Sequence, residues 1–167
     1  VDKPERRRVW EIAVKEIKGR GMICAIPYGP GSTTEMIGLF RLAKELGFDG
    51  ALLYPGAQDA HGNDGLFVAE AERYYRDILE AVDIPMFLAG YHGGVIIDSP
   101  TKEAPHELLV RLVLEYPHIA GVSLSAPKTD AELKSFVQAI GGKRPVRLPI
   151  TKNWYEKMEL GVYGIHS

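Results

Sequence analysis

Short apolar runs alternate with amphipathic helical stretches along this chain, and that alternation limits the folds open to it more than any other feature. Pro4 suits a first helical turn, and Trp10, Ala13, Val14 and Ile17 then follow the spacing of one buried helix face. Gly19 and Gly21 end that helix and release a strand from Met22 to Ile26. After Pro27-Tyr28-Gly29-Pro30-Gly31, Ser32 stands three residues before Glu35, the spacing of a capping box, and a second helix continues through Met36, Leu39, Ala43 and Leu46. Gly47 is placed to end it in the left-handed conformation, and Gly50 to Tyr54 reads as the second strand. Ala71, Tyr75, Ile78, Leu79 and Val82 mark one face of a third helix, and Met86 to Ala89 the third strand. Leu108, Leu109, Leu112 and Val113 mark a fourth helix. Strands follow at Ile119–Leu124, Val146–Ile150 and Val162–Ile165, separated by helices over Thr129–Ile140 and Trp154–Leu160.

Near-continuous apolar strands between helices predict a parallel sheet buried on both faces. Glu45-Leu46-Gly47-Phe48-Asp49-Gly50 and Glu159-Leu160-Gly161-Val162-Tyr163-Gly164 repeat one device, a helix end, a glycine cap and a glycine opening a strand. The G-x-G-x-x-G turn of dinucleotide-binding open sheets is absent: Gly29 and Gly31 are followed by Thr34 where the third glycine belongs. The expected fold is a (β/α) barrel of TIM type, represented by about six of the eight βα units that close one. The whole of 1–167 reads as a single domain, incomplete at both ends.

Composition narrows the function classes. A formal net charge of −2 gives no electrostatic reason for a nucleic-acid or anionic-membrane partner, and Arg6-Arg7-Arg8 reads as the solvated face of the first helix. No apolar run approaches the roughly 18 residues of a membrane helix. The single cysteine, Cys24, cannot form an internal disulfide; within its apolar run it is expected to act as a small buried hydrophobe, and a reducing, cytoplasmic setting follows.

Gly31 to Glu35, Lys44 to Leu53, Ala81 to Leu88, His118 to Val122 and Leu160 to Ser167, in that order and spacing, together resemble the dihydrodipicolinate synthase and N-acetylneuraminate lyase family. Gly31-Ser32-Thr33-Thr34-Glu35 resembles the loop after its third strand. Lys44 to Leu53 (KELGFDGALL) resembles its A-K-x-x-G-A-D-A-V-L passage, and Ala81 to Leu88 (AVDIPMFL) its A-V-D-L-P-I-I-L passage. His118-Ile119-Ala120-Gly121-Val122 is similar to its strand six, N-I-V-G-I, and Leu160 to Ser167 (LGVYGIHS) to its strand eight, L-G-A-V-G-V-I-S. The resemblance implies that the chain begins at the family's second helix and stops at strand eight, so that strands one and two, with the Thr-Thr motif that positions the substrate carboxyl group, would precede Val1. It also implies lyase or aldolase-like chemistry on a small oxo acid, without a cofactor, in a homo-oligomer.

The departures fall on the chemistry. The family forms a Schiff base through a lysine after Gly-Ile; here Gly121-Val122 is followed by Ser123, which has no amine. Ala89 stands where the family's strand-five tyrosine would be, although Tyr91 follows two residues later. The tyrosines expected after strand four are replaced in the region of Gly56, Ala57 and Gln58.

Because barrel active sites lie at the carboxyl ends of strands, the candidates come from those positions. Lys152 and, second to it, Lys128 are the amines that could replace the lost one; each also reads as an ordinary solvated lysine. Tyr91 and His92, in a glycine-rich loop, are the candidate proton-transfer groups, against a bland reading as loop packing. Ser123, Ser125, Tyr28 and Tyr54 are the candidate substrate contacts, the two serines alternating with Leu124 so as to face the barrel interior. Asp59, His61 and His92 have metal-ligating side chains but no metal-site spacing, and no metal is expected. His106, His118 and His166, at a helix start, a strand start and a strand end, need no catalytic role. The alternative is a catalytically silent barrel that binds a small acidic metabolite or serves as an assembly subunit.

Overall fold

The computed structural model describes residues 3–27, 31–56, 66–90, 96, 98–100, 103–124, 129–140, 142, 144–149 and 154–166. In chain order the elements are α1 (Lys3–Ile17), β1 (Cys24–Ala25), α2 (Thr33–Leu46), β2 (Gly50–Leu53), α3 (Val68–Ala81), β3 (Met86–Ala89), α4 (His106–Glu115), β4 (Ile119–Ser123), α5 (Asp130–Ala139), β5 (Val146–Pro149), α6 (Trp154–Met158) and β6 (Val162–His166). The strands form one sheet in the order β1-β2-β3-β4-β5-β6, and every neighbouring pair is parallel.

That order decides the architecture. Crossovers between parallel strands are right-handed, so a sheet that never reverses its strand order carries all its connecting helices on one face. A doubly wound sheet needs a reversal and has helices on both. The chain is therefore wound as a barrel is wound. Among the described residues β1 and β6 are each paired on one side only, which leaves the arc open.

Register assigns the faces. Ala51 and Leu53 of β2 lie beside Met86 and Leu88 of β3, Leu88 beside Val122 of β4, and Val122 beside Val146 of β5. All of these are buried beneath the helices, where α3 sets Ala71, Tyr75, Ile78 and Leu79 and α4 sets Leu108, Leu109, Leu112 and Val113. The opposite, concave face carries Leu52, Phe87, Gly121, Ser123 and Arg147. Leu52, Phe87 and Arg147 are only half-buried there.

Two sequence expectations are corrected by this arrangement. Burial on the concave face is partial, complete at Ala89 and Ser123 but not at Leu52, Phe87 and Arg147, and Cys24 is exposed rather than a core hydrophobe. The cause is shared: β1 is an edge, and alternation turns Met22 (77% exposed), Cys24 and Ile26 (53%) away from the helices while Ile23 and Ala25 face them. Edge position also shortens β1 to Cys24–Ala25, although Asp49 extends the pairing backwards, its carboxylate accepting from the Ile23 N–H at 2.8 Å. Ile17, expected on the buried face of α1, is 39% exposed. Trp10, on the same helix, rests near Phe48 with ring centroids 5.2 Å apart.

The helix signals are present as read. The Ser32 hydroxyl accepts from the Glu35 N–H at 3.2 Å while the Glu35 carboxylate accepts from the Ser32 N–H at 3.1 Å. Thr129 and Glu132 repeat this box at the start of α5. Gly47 and Gly161, the paired glycines of the internal echo, have φ of 88° and 96°, the region that favours glycine.

Candidate functional site

The carboxyl end of β4 lies at the middle of the arc. Ser123, its last residue, is 2% exposed and has Ala89 of β3 and Arg147 of β5 as its register partners. On its β3 side the backbone is fixed from the helix layer: the Tyr75 hydroxyl, on α3, donates to the Ala89 carbonyl at 2.7 Å. Tyr75 is fully buried, which pushes its phenol well above the ordinary tyrosine value and keeps it a neutral donor. The tyrosine hydroxyl at the end of β3 thus comes from a helix and binds backbone.

Arg147 reaches along the concave face toward β3, its guanidinium carbon 5.3 Å from the Phe87 ring centroid. Between them Gly121 contributes no side chain. A Cβ there would lie 2.4 Å from Phe87 Cε1 and 2.7 Å from the Pro145 carbonyl oxygen. On the other side Arg147 pairs with Gly164 of β6, where a Cβ would meet nothing within 4 Å among the described residues. Arg147 was missed in reading the sequence. Its signal was a charged residue in mid-strand, between Val146 and Leu148, in a parallel sheet that ordinarily hides such positions.

Arg147 is also felt across the arc, at Cys24 on β1. Burial pushes the Cys24 thiol up, the Arg147 charge pulls it down, and Asp49 raises it again. A raised thiol carries less thiolate at a given pH. Alkylation of Cys24 by iodoacetamide at pH 8 is therefore expected to be slower in the folded chain than in the urea-unfolded one, despite its exposure, and slower again in Arg147→Met. A pH–rate profile identical in Arg147→Met would show that the charge does not reach the thiol.

Of the other candidates, Tyr54 follows β2, half-buried, and strand alternation places it with Leu52 on the concave side. Tyr28, Asp59, His61, Tyr91, His92, Ser125, Lys128 and Lys152 lie outside the described residues. Among the described residues there is no cluster of three or more histidine, cysteine, aspartate or glutamate side chains that could hold a metal ion. No helix of the described residues is long and apolar enough to cross a membrane.

No protein-family model matches the chain. Among curated proteins it is 34% identical over 116 residues to the 4-hydroxy-tetrahydrodipicolinate synthase of Pelobacter propionicus, a match covering 67% of this chain and 38% of that protein. It is 27% identical over 156 residues to the enzyme of the same name from Wolinella succinogenes, covering 89% and 49%. Among solved structures it is similar to dihydrodipicolinate synthase from Aquifex aeolicus, with TM-score 0.80, 25% identity, and coverage of 100% of this chain and 53% of that one. The dihydrodipicolinate synthase of Acinetobacter baumannii, solved in complex with pyruvate, gives TM-score 0.80 at 28% identity, with the same coverages. The chain thus spans about half the length of these structural relatives, and less than half of the curated ones.

Proposed function

Because the chain belongs, over the stretch of barrel it spans, to the dihydrodipicolinate synthase and N-acetylneuraminate lyase family, we propose that it serves lyase or aldolase-type chemistry on a small oxo acid, with Ser123 in place of the usual Schiff-base lysine. The observation that carries this reading is the place of Ser123, buried at the carboxyl end of the central strand on the concave face. A hydroxyl there donates a hydrogen bond to a carboxylate or keto oxygen, but it cannot condense with the carbonyl as an amine does. Ser125, Tyr28 and Tyr54 are the proposed further substrate contacts, and Tyr91 and His92, following β3, the proposed proton-transfer groups.

An imine then needs an amine from elsewhere. Lys152 follows Pro149, the last residue of β5, by three residues, a span of at most about 10 Å of chain. It is the proposed replacement, with Lys128 second. The ligand is a small oxo acid of the kind seen with the Acinetobacter baumannii relative. Assembly into a homo-oligomer and a cytoplasmic setting belong to the same proposal, as does a single barrel domain of which this chain is part.

Incubation with pyruvate and borohydride tests it. The amine adds to the keto carbon, water leaves, and borohydride delivers hydride to the imine carbon, leaving a secondary amine that survives digestion. A covalent adduct mapped to Lys152 by mass spectrometry is the expected result, and one at Lys128 relocates the amine. No adduct with pyruvate or a panel of larger oxo acids removes the Schiff-base reading. A second reading, a silent barrel that binds a small acidic metabolite or acts as an assembly subunit, would then take its place; the pairing of Ser123 with a half-buried arginine favours it.

A further inference from the structure

The geometry points to Arg147, with the Ser123 hydroxyl beside it, as a carboxylate-binding site on the concave face. This deepens the oxo-acid reading and rests on it only for the ligand's keto group. Most described arginines already have acceptors. Arg7, Arg73, Arg76 and Arg111 meet carboxylates, while Arg20, Arg41 and Arg144 donate to backbone carbonyls. Arg147 is half-buried, lies against the Phe87 ring, and has no carboxylate partner among the described residues. The ring attracts the charge but accepts none of the guanidinium's five N–H donors in the way a carboxylate would. A cation partly removed from water without a counter-charge is costly, and a bidentate carboxylate is the partner its fork matches.

The immediate neighbours of Arg147 on the adjoining strands are small. Arg147 is flanked by Ser123 on β4 and Gly164 on β6, with Gly121 the next inward position of β4, and among the described residues a Cβ on Gly164 would meet nothing within 4 Å. Small residues on both neighbouring strands, a hydroxyl donor alongside, and a fixed cation make a seat for a compact acid, with the carboxylate on Arg147 and a second oxygen near Ser123.

Calorimetric titration of the full chain with pyruvate, propionate (a carboxylate without a keto group) and acetone (a ketone without a carboxylate) tests the assignment. The wild-type chain should bind the two acids and not acetone. Arg147→Met, checked for an unchanged melting temperature, should weaken both acids on the order of tenfold or more, the effect expected for loss of a charged hydrogen-bonding partner. Arg147→Lys should retain part of the affinity, and it carries the test if the methionine variant does not fold. Saturating pyruvate should also slow alkylation of Cys24 in the wild-type chain, because it neutralises the charge acting on the thiol, and should not do so in Arg147→Met.

Pyruvate binding that is unchanged in both variants, acetone binding as well as the acids, or no binding of either acid by the wild-type chain would overturn the site. If both acids bind equally through Arg147 and borohydride traps nothing, the oxo-acid reading fails and the carboxylate site stands. If borohydride traps pyruvate on a lysine equally well in Arg147→Met, the carboxylate site fails and that reading stands.

Discussion

Tyr75→Ala is expected to destabilise the chain by about 4 kcal/mol or more, the largest loss among the single substitutions considered. Two losses combine. The ring is fully buried in the helix–sheet layer with Ile78 and Leu79 of its own helix, and emptying that space removes contacts that the surrounding residues cannot wholly regain. The hydroxyl is also the partner of the Ala89 carbonyl, which lies at the end of a central strand with little access to water. Tyr75→Phe separates the two, keeping the ring and orphaning the carbonyl at a cost of about 1–3 kcal/mol. Urea unfolding of the wild type and both variants checks this. If Tyr75→Phe is as stable as the wild type, the hydrogen bond does not hold β3 in place beside Ser123. A domain has only about 5–15 kcal/mol in hand, so Tyr75→Ala should leave a chain that is partly unfolded at moderate temperature.

Gly121→Ala should cost about 3 kcal/mol although it adds a single methyl group. Its Cβ would fall 2.4 Å from the Phe87 ring and 2.7 Å from the Pro145 carbonyl oxygen. The ring can swing, but the carbonyl belongs to the backbone leading into β5, so β4 and β5 must part for the methyl to fit. The two contacts can be told apart by a double-mutant cycle. In a Phe87→Ala background the ring clash is gone, and the cost of Gly121→Ala should fall by about 1 kcal/mol or more while the backbone part persists. Equal costs in both backgrounds would mean that Phe87 does not crowd Gly121. The same substitution should displace Phe87 from under Arg147, so any surviving folded chain should bind pyruvate more weakly.

Much of this fold could be read from the chain because its determinants are local. The helix faces of α3 and α4 follow from apolar spacing, and the start and end of α2 follow from Ser32, Glu35 and Gly47. Strand order then needed only the right-handed crossover and the absence of a reversal. What stayed hidden depends on neighbours far apart in sequence. Met22, Cys24 and Ile26 look like core residues by composition, but strand alternation turns them away from the helices, which cover Ile23 and Ala25 instead. The candidate site divides in the same way. Ser123 is marked by a resemblance that leads one to expect a lysine after Gly121-Val122, whereas Arg147 has no motif, and its meaning comes from Phe87 on β3 and the gap at Gly121 on β4.

Keeping the strands in chain order has a further consequence. Each pairing closes a loop of one helix and its connections, so the entropy of bringing partners together is met in similar small steps rather than in one long closure. Among the described residues no rung of the ladder ties the first strand to the last. Cooperativity in such an array passes from one unit to the next, as in stacked repeats. The units that meet at β3, β4 and β5 have a paired neighbour on both sides and should be the last to open.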